Sequence, residues 1–297
     1  MTRPCTMVLI PLNAATDPAA WCEGKPIATW AAAVEAAGFD AVAVTDHPFP
    51  SDEWLPSGHH AFDPFVLLTA FAATTERIRL ITDIIVAAYR NPYLLAKSVA
   101  SLDVISGGRL VLGMGAGYQR AEFDALGASF EDRGRRFDAT LGALCAALSG
   151  ESVKVGDGYF PAPGNTALPK PVQQPHPPVW IGGNSDAAIR RAANLADGWM
   201  PFPQPRSRVA VSGSPALGSL EQLIPRIEFA QEQRAATGRT PLDICSGVFG
   251  RFDDGDLPDI LDEYGRAGVT WVTLTAPGTT MAASIARIES LAAALGS

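Results

Sequence analysis

Asp46 and His47 stand side by side at the end of a short apolar run, Ala41–Thr45. An imidazole titrates near neutral pH, so a histidine beside a carboxylate can help to hold a cofactor and can move a proton. The alternative is structural, with Asp46 capping a turn and His47 covering the rim of the fold. The residues alone leave both interpretations open.

A second carboxylate, Asp83, interrupts the β-branched run Leu80–Val86 close to its predicted carboxyl end. A carboxylate is costly to bury in a strand unless it is paired, which makes Asp83 a candidate site residue. The other interpretation is that the strand simply ends before Asp83.

The segment Pro178–Pro201 predicts a phosphate-binding site, because it combines a short strand, a double-glycine turn, a helix and a second strand. Gly182 and Gly183 allow a tight turn close to a ligand. Asn184 or Ser185 can cap the helix that follows. A helix N-terminus behind a glycine turn binds phosphate groups, so the segment favours a phosphorylated cofactor or substrate.

Three alternating glycines in Gly113–Gly117 follow another apolar run, Leu110–Gly113. They do not complete the G-x-G-x-x-G pattern, and no acidic residue follows at a suitable distance. A dinucleotide-binding turn of the Rossmann type is therefore not expected. The glycines instead fit a flat ligand that lies close to the backbone.

Several arginines could meet an anionic ligand. Arg90 and Arg120 are predicted to lie nearer the mouth of the site and suit this role. Arg133, Arg135 and Arg136 come directly after two acidic residues and are better explained as a solvated, self-paired helix start.

Composition excludes several classes of protein. The chain has 297 residues, 47% hydrophobic and 18% charged, which suits one soluble domain with a large core or two small ones. Its net charge of −8 argues against a nucleic-acid-binding protein, whose binding face is normally basic. No apolar run approaches the roughly 20 residues that span a bilayer, and Pro11 ends the first one too soon for a signal peptide. We expect a cytoplasmic protein with neither nucleic-acid nor membrane partners.

The residue types also argue against metal-dependent and covalent catalysis. His47, His59, His60 and His176 form no helix-spaced metal pair, so no metal site is expected. The four cysteines are far apart and are expected to be free thiols. No lysine ends a predicted strand, and no G-x-S-x-G elbow is present. The chemistry is therefore expected to belong to a bound organic cofactor.

Eight predicted strands alternate with eight predicted helices. Eight such units favour an α/β fold, a (β/α)8 barrel of TIM type, formed by one domain over residues 1–297. The predicted strands are Thr6–Leu12, Ala41–Thr45, Ile78–Ile84, Leu110–Gly113, Pro178–Ile181, Gly198–Pro201, Asp243–Gly250 and Thr270–Thr275. The predicted helices are Ile27–Ala37, Pro64–Thr74, Pro92–Ile105, Arg133–Leu148, Asp186–Leu195, Leu220–Thr237, Leu257–Ala267 and Met281–Ala294.

Residues 150–177 do not fit this repeat. Two glycines predict a hairpin over Val153–Phe160, and a proline-rich run follows it. This insertion between the fourth helix and the fifth strand is interpreted as a lid or rim. Two further irregular stretches, His47–Phe62 and Gln204–Ser219, follow predicted strands on the side where barrel active sites are built.

Taken together, these motifs resemble the luciferase-like monooxygenase family, and most closely its branch that uses the deazaflavin coenzyme F420. The segments that carry the resemblance are Ala37–His47, Thr75–Leu80, Tyr89–Pro92, Leu95–Leu110, Gly113–Gly117, Phe130–Phe137 and Pro178–Pro201. The resemblance implies a barrel with its cofactor at the carboxyl mouth, and a homodimer.

The resemblance also assigns roles to individual residues. It implies that Asp46 and His47 lie beside the cofactor ring and that Ala116, Gly117 and Tyr118 flank it. The residues expected around the cofactor phosphate are Gly182, Gly183, Asn184 and Ser185.

A cis peptide in the third strand is a further implication of the resemblance. Thr82, Asp83 and Ile84 occupy its place, with Asp83–Ile84 as the expected bond. The family usually carries a small residue where this chain has Asp83. Some deazaflavin dehydrogenases place a proton-donating glutamate where this chain has Tyr118, which leaves His47 ahead of Tyr118 as the catalytic acid–base candidate.

The favoured function is an oxidoreductase that passes a hydride between coenzyme F420 and a small organic substrate. The first alternative is an FMN-dependent monooxygenase that uses O2. The second is a protein that binds the cofactor without turnover.

Overall fold

The computed structural model describes residues 3–12, 17–55 and 61–296, and within them the chain forms a closed barrel of eight parallel strands. His59 and His60, and with them part of the irregular stretch after the second strand, lie outside the described residues. The strands are β1 (Cys5–Leu9), β2 (Ala41–Val44), β3 (Arg79–Thr82), β4 (Ile85–Val86), β5 (Leu110–Gly115), β6 (Val153–Val155), β7 (Ala162–Asn165), β8 (Val179–Gly182), β9 (Gly198–Met200), β10 (Asp243–Gly247) and β11 (Trp271–Thr275).

The barrel closes where β3 pairs with β5, with Leu80 opposite Leu110. Around the ring, the remaining order is β2, β1, β11, β10, β9 and β8. Both faces of the strands are buried, as the β-branched composition predicts. Met7, Ile81 and Trp180 fill the interior, whereas outward-facing apolar residues pack under the helices. The predicted TIM-type barrel is confirmed.

Helices cover the outside of the barrel, and several begin as the sequence predicts. Asp63 and Asn91 accept hydrogen bonds from first-turn N–H groups of the helices that Pro64 and Pro92 open. The helices are α1 (Pro18–Trp21), α2 (Ala28–Ala36), α3 (Pro64–Ala72), α4 (Pro92–Ile105), α5 (Arg120–Ala125), α6 (Arg133–Leu148), α7 (Asp186–Leu195), α8 (Val209–Ser212), α9 (Leu220–Ala235), α10 (Leu257–Arg266) and α11 (Met281–Leu295). The short helices α1, α5 and α8 were not predicted, because four to six residues are too few for a periodic pattern.

The third strand differs from the prediction of one continuous run, Ile78–Ile84. It ends at Thr82, and after a cis peptide between Asp83 and Ile84 the chain resumes as β4. Both pieces pair with β5, so the strand makes a bulge toward the carboxyl end of the barrel. The expected cis bond is therefore confirmed.

The insertion forms an antiparallel hairpin, β6 and β7, on the outside of the barrel. Its Phe160 carbonyl accepts a hydrogen bond from Tyr93 of α4, and the Tyr159 hydroxyl donates to Asp132 at the start of α6. Further along, the Gln173 side chain and backbone both donate to Asp103 of α4. The hairpin thus lies against α4 and α6, and its tip reaches the carboxyl end of the barrel.

Candidate active site

The carboxyl ends of the barrel strands surround a cavity of about 810 Å³, a size that suits a cofactor or substrate. Strand ends on all sides contribute to its walls, from Leu9 of β1 to Thr275 of β11. This is the face on which barrel enzymes carry their active sites. No residue of the insertion 150–177 lines the cavity, so its proposed role as a lid or rim stays a prediction.

The predicted site residues converge on this cavity, with Thr82 the exception. Those that line it are Asp46, His47, Asp83, Ile84, Ala116, Gly117, Tyr118, Gly182, Gly183, Asn184 and Ser185. Thr82 is fully buried, and its hydroxyl donates to the Gly113 carbonyl at 2.8 Å. Its side chain is therefore used to hold β3 against β5, not to line the cavity.

Gly113, Gly115 and Gly117 make room for neighbouring parts of the protein, and Gly115 and Gly117 also line the cavity, so the expectation that a flat ligand lies close to them stays a prediction. A Cβ on Gly113 would lie 2.0 Å from the Thr82 carbonyl oxygen, and one on Gly115 would lie 2.1 Å from the Ile84 side chain. Gly117 has a φ of 81° and would meet Val86 in the same way. The bulge of β3 and β4 therefore leaves no room for larger side chains at these three positions.

The Ile84 side chain forms a platform at the floor of the cavity. It lies over Gly115 of β5 and reaches Gly182 of β8, where an added Cβ would come within 3.0 Å. The platform thus joins the bulge to the first glycine of the predicted phosphate turn.

An ion pair fixes the bulge from the other side. Asp46 is buried, and its carboxylate accepts hydrogen bonds from the Arg90 guanidinium at 2.6 and 3.3 Å and from the Val86 backbone at 3.0 Å. Burial raises the pKa of Asp46, and the Arg90 guanidinium opposes that rise. Burial alone would lower the pKa of Arg90, but the Asp46 carboxylate raises it. Asp46 therefore positions the backbone beneath the site.

His47 is held by two side chains that the sequence analysis did not single out. Its Nδ1 lies 2.9 Å from the Gln119 amide nitrogen and 3.5 Å from the Glu122 carboxylate. Glu122 is 1% exposed and also accepts the Phe49 N–H at 3.2 Å. Both contacts are made at Nδ1, so they fix the orientation of the ring. In the sequence, only Glu122, in the Glu122–Phe123 pair that follows the glycine run, could have indicated a partner for His47.

Aromatic rings enclose the imidazole. Trp54 lies 4.4 Å from the His47 ring and Tyr118 lies 6.3 Å from it, measured between ring centroids. Burial raises the pKa of the Tyr118 phenol, so it is a neutral hydroxyl at physiological pH. The histidine therefore lies between aromatic rings at the edge of the cavity.

The predicted phosphate turn has the expected local structure. Gly183 has a φ of 125°, and the Ser185 hydroxyl caps α7 by accepting the Ala188 N–H at 3.2 Å. The other first-turn N–H groups have no acceptor within the helix and can meet an anion. Ser185, Ala187 and Ala188 all line the cavity.

Asn184 has a different role from its neighbours in the turn. Its amide donates to the Phe202 and Pro215 carbonyls, at 2.9 and 3.1 Å, and its oxygen accepts the Phe202 N–H at 3.0 Å. Because these bonds occupy the side chain, Asn184 ties the loop after β9 to the phosphate turn.

The cations at the cavity are not the ones that were predicted. Arg90 is committed to Asp46, and Arg120 is exposed and paired with Glu131, so neither lines the cavity. Arg133 and Arg191 do line it. The prediction failed because the first turn of α6 faces the phosphate turn across the mouth, which local charge pattern does not reveal.

The remaining walls are largely apolar and were not predicted, because their residues come from distant loops. The apolar side chains that line the cavity are Leu9, Val86, Phe137, Ile181, Met200, Phe202, Val248, Phe252 and Leu274. Such walls exclude water from a bound ring and its substrate. Within the described ranges, no group of three or more His, Cys, Asp or Glu residues could hold a metal ion.

The sequence is similar to a known protein family and to individual proteins. The sequence matches the family model of luciferase-like monooxygenases over residues 8–214, which includes the cavity residues up to Ser214. The uncharacterized protein Rv0940c of Mycobacterium tuberculosis (strain ATCC 25618 / H37Rv) is 30% identical over 229 residues, which cover 73% of this chain and 75% of that protein.

Solved structures share the whole fold. Monooxygenase RslO1 from Streptomyces bottropensis superposes with a TM-score of 0.75 at 22% identity and covers 98% of both chains. The coenzyme F420-dependent tetrahydromethanopterin reductase from Methanopyrus kandleri gives a TM-score of 0.71 at 17% identity, again over 98% of both chains. At these identities the likeness establishes the barrel.

Proposed function

The chain belongs to the luciferase-like monooxygenase family, and on that basis we propose that it is an oxidoreductase that transfers a hydride between coenzyme F420 and a small organic substrate. One observation carries the proposal: the Ile84 platform adjoins a glycine turn at a helix N-terminus, so a ring and its phosphate have neighbouring places in one cavity.

The residues present fit such a cofactor. Gly182, Gly183, Ser185 and the first turn of α7 would hold the phosphate, with Arg133 across the mouth. The Ile84 floor would support the ring, and Ala116, Gly117 and Tyr118 would flank it. A bound deazaflavin supplies a hydride donor or acceptor at C5 of its ring.

The chain itself supplies orientation and one proton. His47 is the acid–base candidate, because it lines the cavity and is oriented through Nδ1 by Gln119 and Glu122. The Glu122 carboxylate lies 3.5 Å from Nδ1 and, with Gln119, fixes the orientation of the ring. The apolar walls keep competing water away from the reacting groups.

Binding experiments with defined cofactors test this proposal. The apo-protein is mixed without oxygen with coenzyme F420 and, separately, with FMN, and fluorescence quenching gives affinity and stoichiometry. Saturable binding of F420 at one per chain, with weaker FMN binding, is the expected result. Tight binding of FMN alone would overturn the F420 assignment, and binding of neither would overturn the cofactor site.

An FMN-dependent monooxygenase is the second candidate, and a residue of this chain favours it. Position 118 is a tyrosine with its phenol kept neutral by burial, where a deazaflavin dehydrogenase can carry a glutamate. The overall resemblance to monooxygenase RslO1 supports the same candidate. Oxygen consumption with reduced FMN, dependent on an added substrate, would distinguish it from hydride transfer.

We further propose a homodimer in the cytoplasm. The four cysteines are free thiols, as suits a reducing compartment. Within the described parts of the chain, no helix is both long and apolar enough to cross a bilayer.

A further inference from the structure

Asp83 places a carboxyl group inside the barrel mouth. Ile81, two residues earlier, belongs to the cluster that fills the barrel interior. Side chains along a strand alternate in direction, so Asp83 faces the same interior. It lines the cavity directly beside the Ile84 platform. A ligand that rests on the platform therefore covers this carboxyl.

No partner accounts for a charge at this position. Within residues 3–12, 17–55 and 61–296, the Asp83 carboxylate forms neither an ion pair nor a hydrogen bond, although its backbone N–H donates to the Val44 carbonyl at 2.7 Å. Burial raises the pKa of Asp83 to about 6. An unpaired carboxylate is costly in such surroundings, whereas the neutral acid needs only one acceptor.

Other titratable groups of the cavity do not replace the missing partner. From β10, the Cys245 thiol faces Asp83, and burial together with the Asp83 charge raises the pKa of that thiol, so it stays neutral. Asp46 at the end of β2 is paired with Arg90. The cavity-lining residues from the neighbouring stretches of β1, β5 and β11 include Leu9, glycines and Thr273, none of which is charged. The other titratable side chains that line the cavity are His47, Tyr118, Arg133 and Arg191.

We propose that Asp83 is the proton-holding residue of the cofactor site, which takes up a proton when a flavin-like ring covers it and then donates its O–H to a ring nitrogen or carbonyl oxygen. This inference rests on the proposed function, because it requires a flavin or deazaflavin ring on the platform. It makes the charge of this one side chain a determinant of cofactor affinity.

Proton uptake on binding is the direct consequence. Calorimetric titration of the protein with FMN and with coenzyme F420, in buffers of different ionisation enthalpy at pH 7.5, counts the protons taken up. We expect close to one proton for each ring bound. Between pH 6.5 and 8 the affinity should fall by about tenfold per pH unit, because one proton is linked to binding.

The neutral variant Asp83→Asn isolates the carboxyl. It should bind FMN without that proton and lose the corresponding part of the pH dependence, since every other titratable group of the protein and of FMN is the same in the two titrations. The matched control is Asp157→Asn, which removes an exposed carboxylate from the insertion and should behave as the wild type. If Asp83→Asn does not fold, infrared difference spectra of the wild type should show a neutral carboxyl band when FMN binds.

The possible results separate this inference from the proposed function. Ring binding without proton uptake, or with the same uptake in Asp83→Asn, would overturn the inference and leave the function standing. A wild-type infrared difference spectrum without the neutral carboxyl band would overturn it too. Failure of both FMN and F420 to bind would overturn the proposed function and this inference with it.

Discussion

At the scale of single residues, Asp83 is expected to lower the stability of the protein near neutral pH. Its pKa is about 6 in the folded protein against 3.8 for an ordinary aspartate. The folded state therefore holds the proton more tightly, and the free energy of unfolding falls as the pH rises from about 4 to about 6. Allowing for partial contact with solvent, the carboxylate costs roughly 2 kcal/mol at pH 7.

Urea unfolding of Asp83→Asn checks this prediction. At pH 7 the variant should be more stable than the wild type by roughly 2 kcal/mol, and the difference should vanish as the pH falls below 3.8, where Asp83 is neutral in the folded and the unfolded chain. The variant Asp157→Asn should show no such pH-dependent gain. An unchanged difference at both pH values would assign the effect to packing instead of charge.

His47 is expected to affect turnover more than binding. His47→Ala should reduce the rate of hydride transfer by about 10²–10⁴-fold, the usual contribution of a general acid–base group, while the cofactor affinity changes little. Single-turnover kinetics beside a fluorescence titration separate the two effects. Glu122→Gln should preserve binding and reduce the rate less. If every redox activity survived in His47→Ala, the proton would have to come from another group or the protein would act as a cofactor carrier.

The sequence indicated which residues are unusual at the end of a strand, but it did not indicate the side chains that bind them. Asp46 and His47 attract attention because they end a strand. Arg90 is 44 residues away from Asp46, and Glu122 is 75 residues away from His47. These pairings depend on how strand ends meet around the barrel. Local charge pattern therefore failed for Arg90, Arg120 and Arg133 alike.

At the scale of elements, the bulge between β3 and β4 explains the glycines of β5. Gly113→Ala would place a Cβ 2.0 Å from the backbone oxygen of Thr82, and backbone cannot move aside as a side chain does. We expect the free energy of unfolding to fall by about 1–3 kcal/mol, which is the usual cost of overpacking a core. Gly142→Ala in α6 is the control, because nothing lies within 4 Å of its added Cβ.

Thermal unfolding of the two glycine variants tests this explanation. Gly142→Ala should be neutral or more stable by up to about 1 kcal/mol, since alanine favours a helix. Equal stabilities of Gly113→Ala and the wild type would mean that the bulge can shift, and that the glycines serve something other than this packing.

Element boundaries were predictable where a local signal existed. Pro64, Pro92 and the helix starts they mark are found as expected, and so are the glycine turn and capped helix after β8. The end of β3 at Thr82 agrees with the alternative interpretation that the strand stops before Asp83, but the β-branched run on both sides of Asp83 did not decide between the two. Only the resemblance to a family indicated the cis bond there.

At the scale of the whole molecule, a homodimer is expected. The family resemblance implies it, and Val66 of α3 and Leu94 of α4, which are 71% and 73% exposed, are apolar side chains that an interface on these helices would cover. Light scattering at micromolar concentration should give twice the mass of the chain. Leu94→Asp should shift the protein toward the monomer, whereas a monomeric wild type would contradict the prediction.

The number and order of the strands could be predicted from the sequence, and their closure into a ring could not. Each strand–helix unit has its own hydrophobic pattern in the sequence. The pairing of Leu80 with Leu110, which closes the ring, cannot be read from any local pattern. The same limit applies to the cavity, since Phe137, Phe202 and Phe252 reach it from three separate segments.

The shared floor under the cavity has a consequence for laboratory evolution. Ile84 fills the volume that side chains at Gly115 and Gly182 would need, so the three positions are one epistatic unit contributed by the bulge between β3 and β4 and by two strands, β5 and β8. A larger side chain at Gly115 or Gly182 requires the Ile84 side chain to move or to shrink, so a library should vary the three positions together. Selection for a new cofactor or substrate will therefore accumulate changes in the loops around the mouth and leave the floor as it is.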